Sequence, residues 1–87
     1  MTVFPTLQFK KKSEKLPKKI RRALAERITL FIANSHHPLL NNHKLGGSRK
    51  HQRSFNVTGD WRVIFEEVSP EIARLLDVDT HSNLYGK

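Results

Sequence analysis

Two rhythms of apolar residues run along the chain. Leu16, Ile20, Leu24, Ile28 and Phe31 recur every three or four residues, and Ala23 and Ile32 widen the stripe. That period belongs to an amphipathic helix, predicted over residues 17–33. Its polar face carries Lys18, Lys19, Arg21, Arg22 and Glu26. Pro17 suits the first turn of a helix, and it forces Leu16 out of any helix that precedes it. Asn34-Ser35 and then Pro38 stop the run. His36 and His37 fall at the negative end of the helix dipole and read as capping or exposed residues.

The second rhythm is alternation. Residues 52–57 and 61–68 read as two strands joined through Thr58-Gly59-Asp60, a tight hairpin turn. In the second strand Trp61, Val63 and Phe65 point one way, and Arg62 and Ile64 the other. Ser69-Pro70 makes the next turn, and residues 72–78 form another strand. At the start, residues 3–9 read as an edge strand interrupted by Pro5, followed by a short helix over 10–15. Leu39-Leu40 packs back onto the core, residues 41–48 form a polar, glycine-bearing loop, and residues 80–85 close the chain as a turn or one helical turn. The order is strand, helix, helix, then a three-stranded meander. It predicts a single α+β domain over residues 1–87, with about four mostly antiparallel strands and two N-terminal helices on one face.

Composition narrows the function classes. The 87 residues are 37% apolar, which allows one modest core. No cysteine is present, so disulfides and thiolate chemistry are excluded. No apolar run approaches the roughly 20 residues a membrane span needs. The N-terminus has no signal-peptide pattern, so a cytoplasmic location is expected. The formal charge is +8, with Lys10, Lys11, Lys12, Lys15, Lys18, Lys19, Arg21 and Arg22 clustered in one stretch and Lys44, Arg49, Lys50 and Arg53 in another. Such a surface attracts polyanions, nucleic acid above all, though a solvated helix face or an acidic protein partner fits the same pattern.

There is no Gly-rich phosphate loop, no HExxH and no CxxC, and the histidines lack zinc-site spacing, so neither a metal nor a cofactor is expected. General acid–base cleavage of RNA is open to these residues. It needs a base at the 2′-hydroxyl, a cation at the nonbridging oxygens and an acid at the leaving 5′-oxygen. His43, Asp60, His81, Arg62, Arg53, Lys44, Trp61 and Tyr85 supply such groups. The plain alternative is that Asp60 is a turn residue, Trp61 a core anchor and Arg62 part of a solvated strand face.

Several segments, in order, resemble the RelE/ParE toxin superfamily, with the YafQ-like branch as the nearest match. They are Phe9-Lys-Lys-Lys12, Leu16-Pro-Lys-Lys-Ile20, Asn42-His-Lys-Leu-Gly46, Arg53-Ser-Phe-Asn-Val57, Gly59-Asp-Trp-Arg-Val-Ile-Phe65 and Thr80-His-Ser-Asn-Leu-Tyr-Gly86. The resemblance implies a small α+β toxin of a type II toxin–antitoxin pair. Such a toxin enters the ribosomal A site, cuts mRNA there without a metal, and is silenced by its cognate antitoxin. It is a monomer alone and part of a larger assembly with that antitoxin. Carried onto this chain, the resemblance makes His81 the general acid and His43 or Asp60 the base. It places Arg62 and Lys44 on the phosphate and Trp61 and Tyr85 on bases, with Lys50, Arg53 and Asn56 as further RNA contacts. Two positions depart from the YafQ-like pattern: Asn56 replaces a second histidine, and Asp77 replaces an arginine, for which Arg53, Arg62 or Arg74 are the candidate substitutes. The rival expectations are a ParE-like inhibitor of gyrase and a ribosome- or RNA-binding module that does not cut.

Overall fold

A computed structural model of the chain describes residues 1–85. Strand β1 (Thr2–Pro5) leads into helices α1 (Leu7–Glu14) and α2 (Lys18–Ala33). Four strands follow, β2 (His43–Lys44), β3 (Arg53–Asn56), β4 (Trp61–Ser69) and β5 (Ile72–Thr80), and then the short helix α3 (His81–Tyr85). Single 3-10 turns occupy Pro38–Leu40 and Gly47–Arg49. The sheet order is β1-β5-β4-β3-β2. The α+β class, helix α2 and the β3–β4–β5 meander follow the hydrophobic pattern, whereas α1 begins at Leu7, three residues before its expected start. Two features of the sheet also differ from it. The sheet has five strands rather than about four, because His43–Lys44, expected in a loop, pairs antiparallel with β3. The sheet is also mixed, since β1 joins β5 in parallel. No described helix is long and apolar enough to cross a membrane.

The N-terminal strand is shorter than its alternation suggests. It stops at Pro5, and Thr6 caps α1, its Oγ1 accepting the N–H of Phe9 at 3.2 Å. A threonine at that position favours helix entry over strand continuation. Phe9 therefore reaches the core from α1 rather than from a strand. The Thr6 N–H also donates to Leu75 O at 2.9 Å, so the cap is pinned to β5.

The core lies between the two long helices and the sheet. Phe31 of α2 is fully buried, stacked on Phe55 at 4.7 Å and edge-on to Phe65 at 4.9 Å. Val63 and Phe65 belong to this cluster and Trp61 packs against its rim, as the alternation of β4 predicts. Ile64 is also fully buried but lies outside that cluster, so β4 is covered on both faces. Of the Leu39-Leu40 pair only Leu40 is buried. His36 is exposed, and His37 Nδ1 caps the 3-10 turn by accepting the Leu39 N–H at 3.1 Å.

A register shift on β5 has a further consequence. Ile64 faces Asp77 while Phe65 faces Leu75, which leaves Leu76 as the extra residue of a bulge. Before the bulge Ala73 and Leu75 are core residues; after it, Val78 is. An extra residue inverts which side chains face inward. Without it Asp77 and Asp79 would take the inward phase. Instead both carboxylates meet Lys12 of α1, Nζ lying 2.7 Å from Asp77 Oδ1 and 2.8 Å from Asp79 Oδ2. Beyond Pro5 the edge of β5 has no strand partner, and α1 packs there.

The Lys12 clamp shifts two protonation equilibria. Partial burial works against the charge on Asp79, but hydrogen bonds from Lys12, Asn83 and the Thr80 N–H, with the Lys12 charge, bring its pKa below the ordinary aspartate value. For Lys12, burial opposes the charge, and the two aspartates outweigh it and raise the pKa. Asp79 thus adds stability above its unfolded-state pKa, lost as pH falls through the lower folded value. Lys12 adds stability below its unfolded-state pKa, lost as pH rises through the higher folded value. An NMR titration of the Asp79 carboxyl is expected to give a midpoint below that of an unstructured aspartate, and Lys12→Met to move it upward. Phe31→Ala, which empties the centre of the aromatic cluster, is expected to cost about 3–5 kcal/mol in urea unfolding.

Candidate active site

Where β4 begins, segment 41–49, the first residues of β4 and helix α3 enclose a cleft of about 470 Å³. The loop contributes an imidazole held in a defined tautomer. Asn41 adopts the left-handed conformation (φ 48°, ψ 49°), which asparagine tolerates better than most residues. This aims its carbonyl at His43 Nδ1, 2.7 Å away. A carbonyl only accepts, so Nδ1 carries the proton and the neutral ring keeps its lone pair on Nε2. Exposed Lys44 stands beside it on the cleft wall.

The second imidazole comes from the far end of the chain. The His81 N–H donates to Asp60 O at 2.8 Å, which ties the first residue of α3 to the β3–β4 turn. One helical turn later Tyr85 sets its ring edge-on to His81 at 4.6 Å. Both side chains line the cleft. Asp79 steadies this helix from behind: Oδ1 accepts the Thr80 N–H at 2.7 Å and Asn83 Nδ2–H at 2.8 Å.

Two guanidinium groups complete the wall. Arg62 is half-buried, and its Nη1 donates to the carbonyls of Thr58 (3.0 Å) and Trp61 (3.1 Å). Arg49 donates to Gln52 Oε1 at 3.0 Å and to Leu84 O at 3.3 Å, linking the loop to α3. Three cations and two imidazoles on one cleft make a strongly anion-attracting surface. Among the described residues, no group of three His, Asp or Glu side chains is arranged to hold a metal ion.

The structure thus brings His43, Lys44, Arg62, His81 and Tyr85 together, and it places the other expected residues elsewhere. Asp60 is exposed and does not line the cleft; it supplies the carbonyl that holds His81. Trp61 packs at the core rim and lines a separate hollow with Lys12, Leu16 and Val78, because alternation puts it opposite Arg62. Lys50 and Arg53 line an adjoining hollow that shares Lys44, and Arg53 Nε donates to Asn42 Oδ1 at 2.8 Å. Asn56 sits across the ladder from Arg62 but outside the cleft. Its Oδ1, Tyr85 Oη and Ser54 Oγ are buried without a hydrogen-bond partner. Of the arginines considered as substitutes at position 77, Arg74 pairs with Glu66 at 2.9 Å. Asp77 itself is occupied by Lys12. The sequence places Arg49 in the basic patch, Asn41 in the loop and Leu45 and Gly46 in the Asn42–Gly46 motif without a role for any of them, and all four line the cleft. The Asn-Asn and Gly-Gly pairs in the loop were the available signal.

No family model matches the sequence, and no curated protein matches it. Solved structures do match. A crystal structure of YafQ from E. coli strain BL21(DE3) is 27% identical, with 97% of each chain covered and a TM-score of 0.76. The E. coli DinJ-YafQ toxin-antitoxin complex contains a chain 28% identical, covering 97% of this chain and 96% of that one, with a TM-score of 0.73. The toxin-antitoxin complex RelBE2 from Mycobacterium tuberculosis matches in fold, with 20% identity, 92% and 96% coverage and a TM-score of 0.75. The resemblance therefore holds in three dimensions over nearly the whole chain, although Gly86 of the terminal motif lies outside the described residues. The chain carries the fold of the RelE/ParE toxin superfamily and is similar to its YafQ branch.

Proposed function

We propose that this chain is the toxin of a type II toxin–antitoxin pair and acts as an endoribonuclease on mRNA in the ribosomal A site. The observation that carries the reading is one cleft uniting the neighbours His43 and Lys44 with Arg62 and His81, which come from distant parts of the sequence. The toxin–antitoxin assignment draws support from the similarity to YafQ, itself solved both alone and with DinJ.

The proposed reaction is an internal transesterification. His43 Nε2, left unprotonated by the Nδ1–H bond to Asn41, takes the proton of the RNA 2′-hydroxyl. The 2′-oxygen attacks phosphorus, the bond to the 5′-oxygen breaks, and protonated His81 delivers a proton to the leaving oxygen. The products are a 2′,3′-cyclic phosphate and a 5′-hydroxyl. Arg62 and Lys44 offset the charge building on the nonbridging oxygens, and Arg49 joins them in this role. Tyr85 offers a ring for base stacking beside the acid. Lys50, Arg53, Asn56 and Trp61, outside the cleft, are left with RNA contacts further along the strand or with structural work. The base role goes to His43 and not Asp60, whose side chain does not line the cleft. The partner that silences such a cationic site is an antitoxin laid over it, which neutralises its charge.

Primer extension on a message translated in a purified system tests this reading. The wild-type protein is expected to give discrete ends at A-site codons, and His81→Ala to cut roughly 10²–10⁴ times more slowly. Asp60→Asn, a change at an exposed side chain, is expected to stay within about twofold of wild type. Undiminished cutting by His81→Ala would remove its proton role. Stalled ribosomes without cleavage would identify a blocking protein instead.

A further inference from the structure

We propose that Lys12 is a positioning residue for His81, acting through Asp79. This rests on the reading of His81 as the acid, and it adds a residue from α1, well outside the cleft. The chain of contacts is continuous. Lys12 Nζ lies 2.8 Å from Asp79 Oδ2. The other oxygen of that carboxylate accepts the Thr80 N–H at 2.7 Å and the Asn83 side-chain N–H at 2.8 Å. Thr80 Oγ1 in turn accepts the Asn83 backbone N–H at 3.2 Å. These bonds bracket His81 on both sides, and its own N–H is held by Asp60 O at 2.8 Å.

Helix α3 needs such support. It has five residues, too few to be helical alone in water. Among its described side chains only Leu84 is buried. Its direction is set by the buried Leu84, by Arg49 on the Leu84 carbonyl, by Asp60 O on the His81 N–H, and by what holds Thr80 and Asn83, which is the carboxylate that Lys12 orients. The second aspartate separates a specific device from a general fastening. Asp77 also binds Lys12, at 2.7 Å, but its Oδ1 otherwise accepts the neighbouring Val78 N–H at 2.8 Å, a bond that does not reach α3. Lys12 holds both carboxylates at nearly the same distance, so if the bridge served only to dock α1 on β5, loss of either one would affect α3 equally. If the bridge positions α3, only loss of Asp79 reaches that helix, because only its carboxylate goes on to Thr80 and Asn83.

The test reads α3 directly, so it does not require that the protein cut RNA. In Lys12→Met and in Asp79→Asn, which keeps an oxygen for Thr80 and Asn83 but drops the charge, amide exchange at Leu84 and Tyr85 is expected to quicken roughly three- to tenfold. The His81 ring resonances should shift, while exchange in β3 and β4 stays unchanged. Lys12→Arg should restore the wild-type pattern, and Asp77→Asn should leave α3 as it is. In the cleavage assay Lys12→Met should lower kcat by a similar factor with KM unchanged. Wild-type His81 resonances in both Lys12→Met and Asp79→Asn would overturn the proposal. So would equal effects of Asp77→Asn and Asp79→Asn, or loss of protection throughout the sheet. If α3 responds as expected but no variant, nor the wild type, cuts RNA, the positioning network stands and the nuclease reading fails.

Discussion

The register of β4 between β3 and β5 is the constraint on which the rest of this molecule depends. A strand places successive side chains on opposite faces, so a slip of one residue would exchange them all. Val63 and Phe65 must meet Phe31 and Phe55 on the helix side, and Arg62 is thereby committed to the other side, where the cleft lies. The same register sets Asn56 opposite Arg62 and brings the β3–β4 turn to the start of α3, where Asp60 O holds His81. Hydrophobic burial thus fixes the position of a guanidinium without touching it. The aromatic cluster acts as the reference frame of the cleft.

A basic protein that collects cations on one cleft must manage its acids. Asp77 and Asp79 sit on the strand leading into α3, where free carboxylates would repel an anionic ligand. The bulge at Leu76 takes both out of the inward phase, and Lys12, shared between them from α1, offsets part of their charge. Asp79 also uses its charge, accepting the Thr80 N–H and the Asn83 side chain. Asp77, the residue that departs from the YafQ-like pattern, is thus paired with a lysine 65 positions earlier in the sequence. Half-buried pairs of this kind add little net stability, because desolvation and solvent screening offset much of the attraction. Their value here is geometric.

Comparison with the sequence shows where local reasoning stops. The helix over 18–33 was legible because its apolar stripe extends over four turns and Pro17 marks its start. The hairpin was legible from alternation on both sides of Gly59. The end of β1 was misread because Val3, Leu7 and Phe9 suit a strand, while one threonine, through a single capping bond, turns the chain into a helix. Strand β2 was missed since two residues carry no period; only pairing with Ser54 and Arg53 makes them a strand. Trp61 shows the opposite case. Alternation put it with Val63 and Phe65, yet chemistry and resemblance put it with the nucleic acid, and the packing follows alternation.

The sequence by itself determined helix α2, the β3–β4–β5 meander, the α+β class, the cationic character of the surface and the family likeness, since periodicity, composition and motif order are properties of neighbours along the chain. Only the tertiary structure decided that His43 and His81 share a cleft, that the Asp60 carbonyl holds the His81 N–H, and that Lys12 belongs with Asp79. Those relations join residues separated by tens of positions. No local pattern encodes such distances, and only the closing of the sheet and the docking of α1 along the edge of β5 bring them into being.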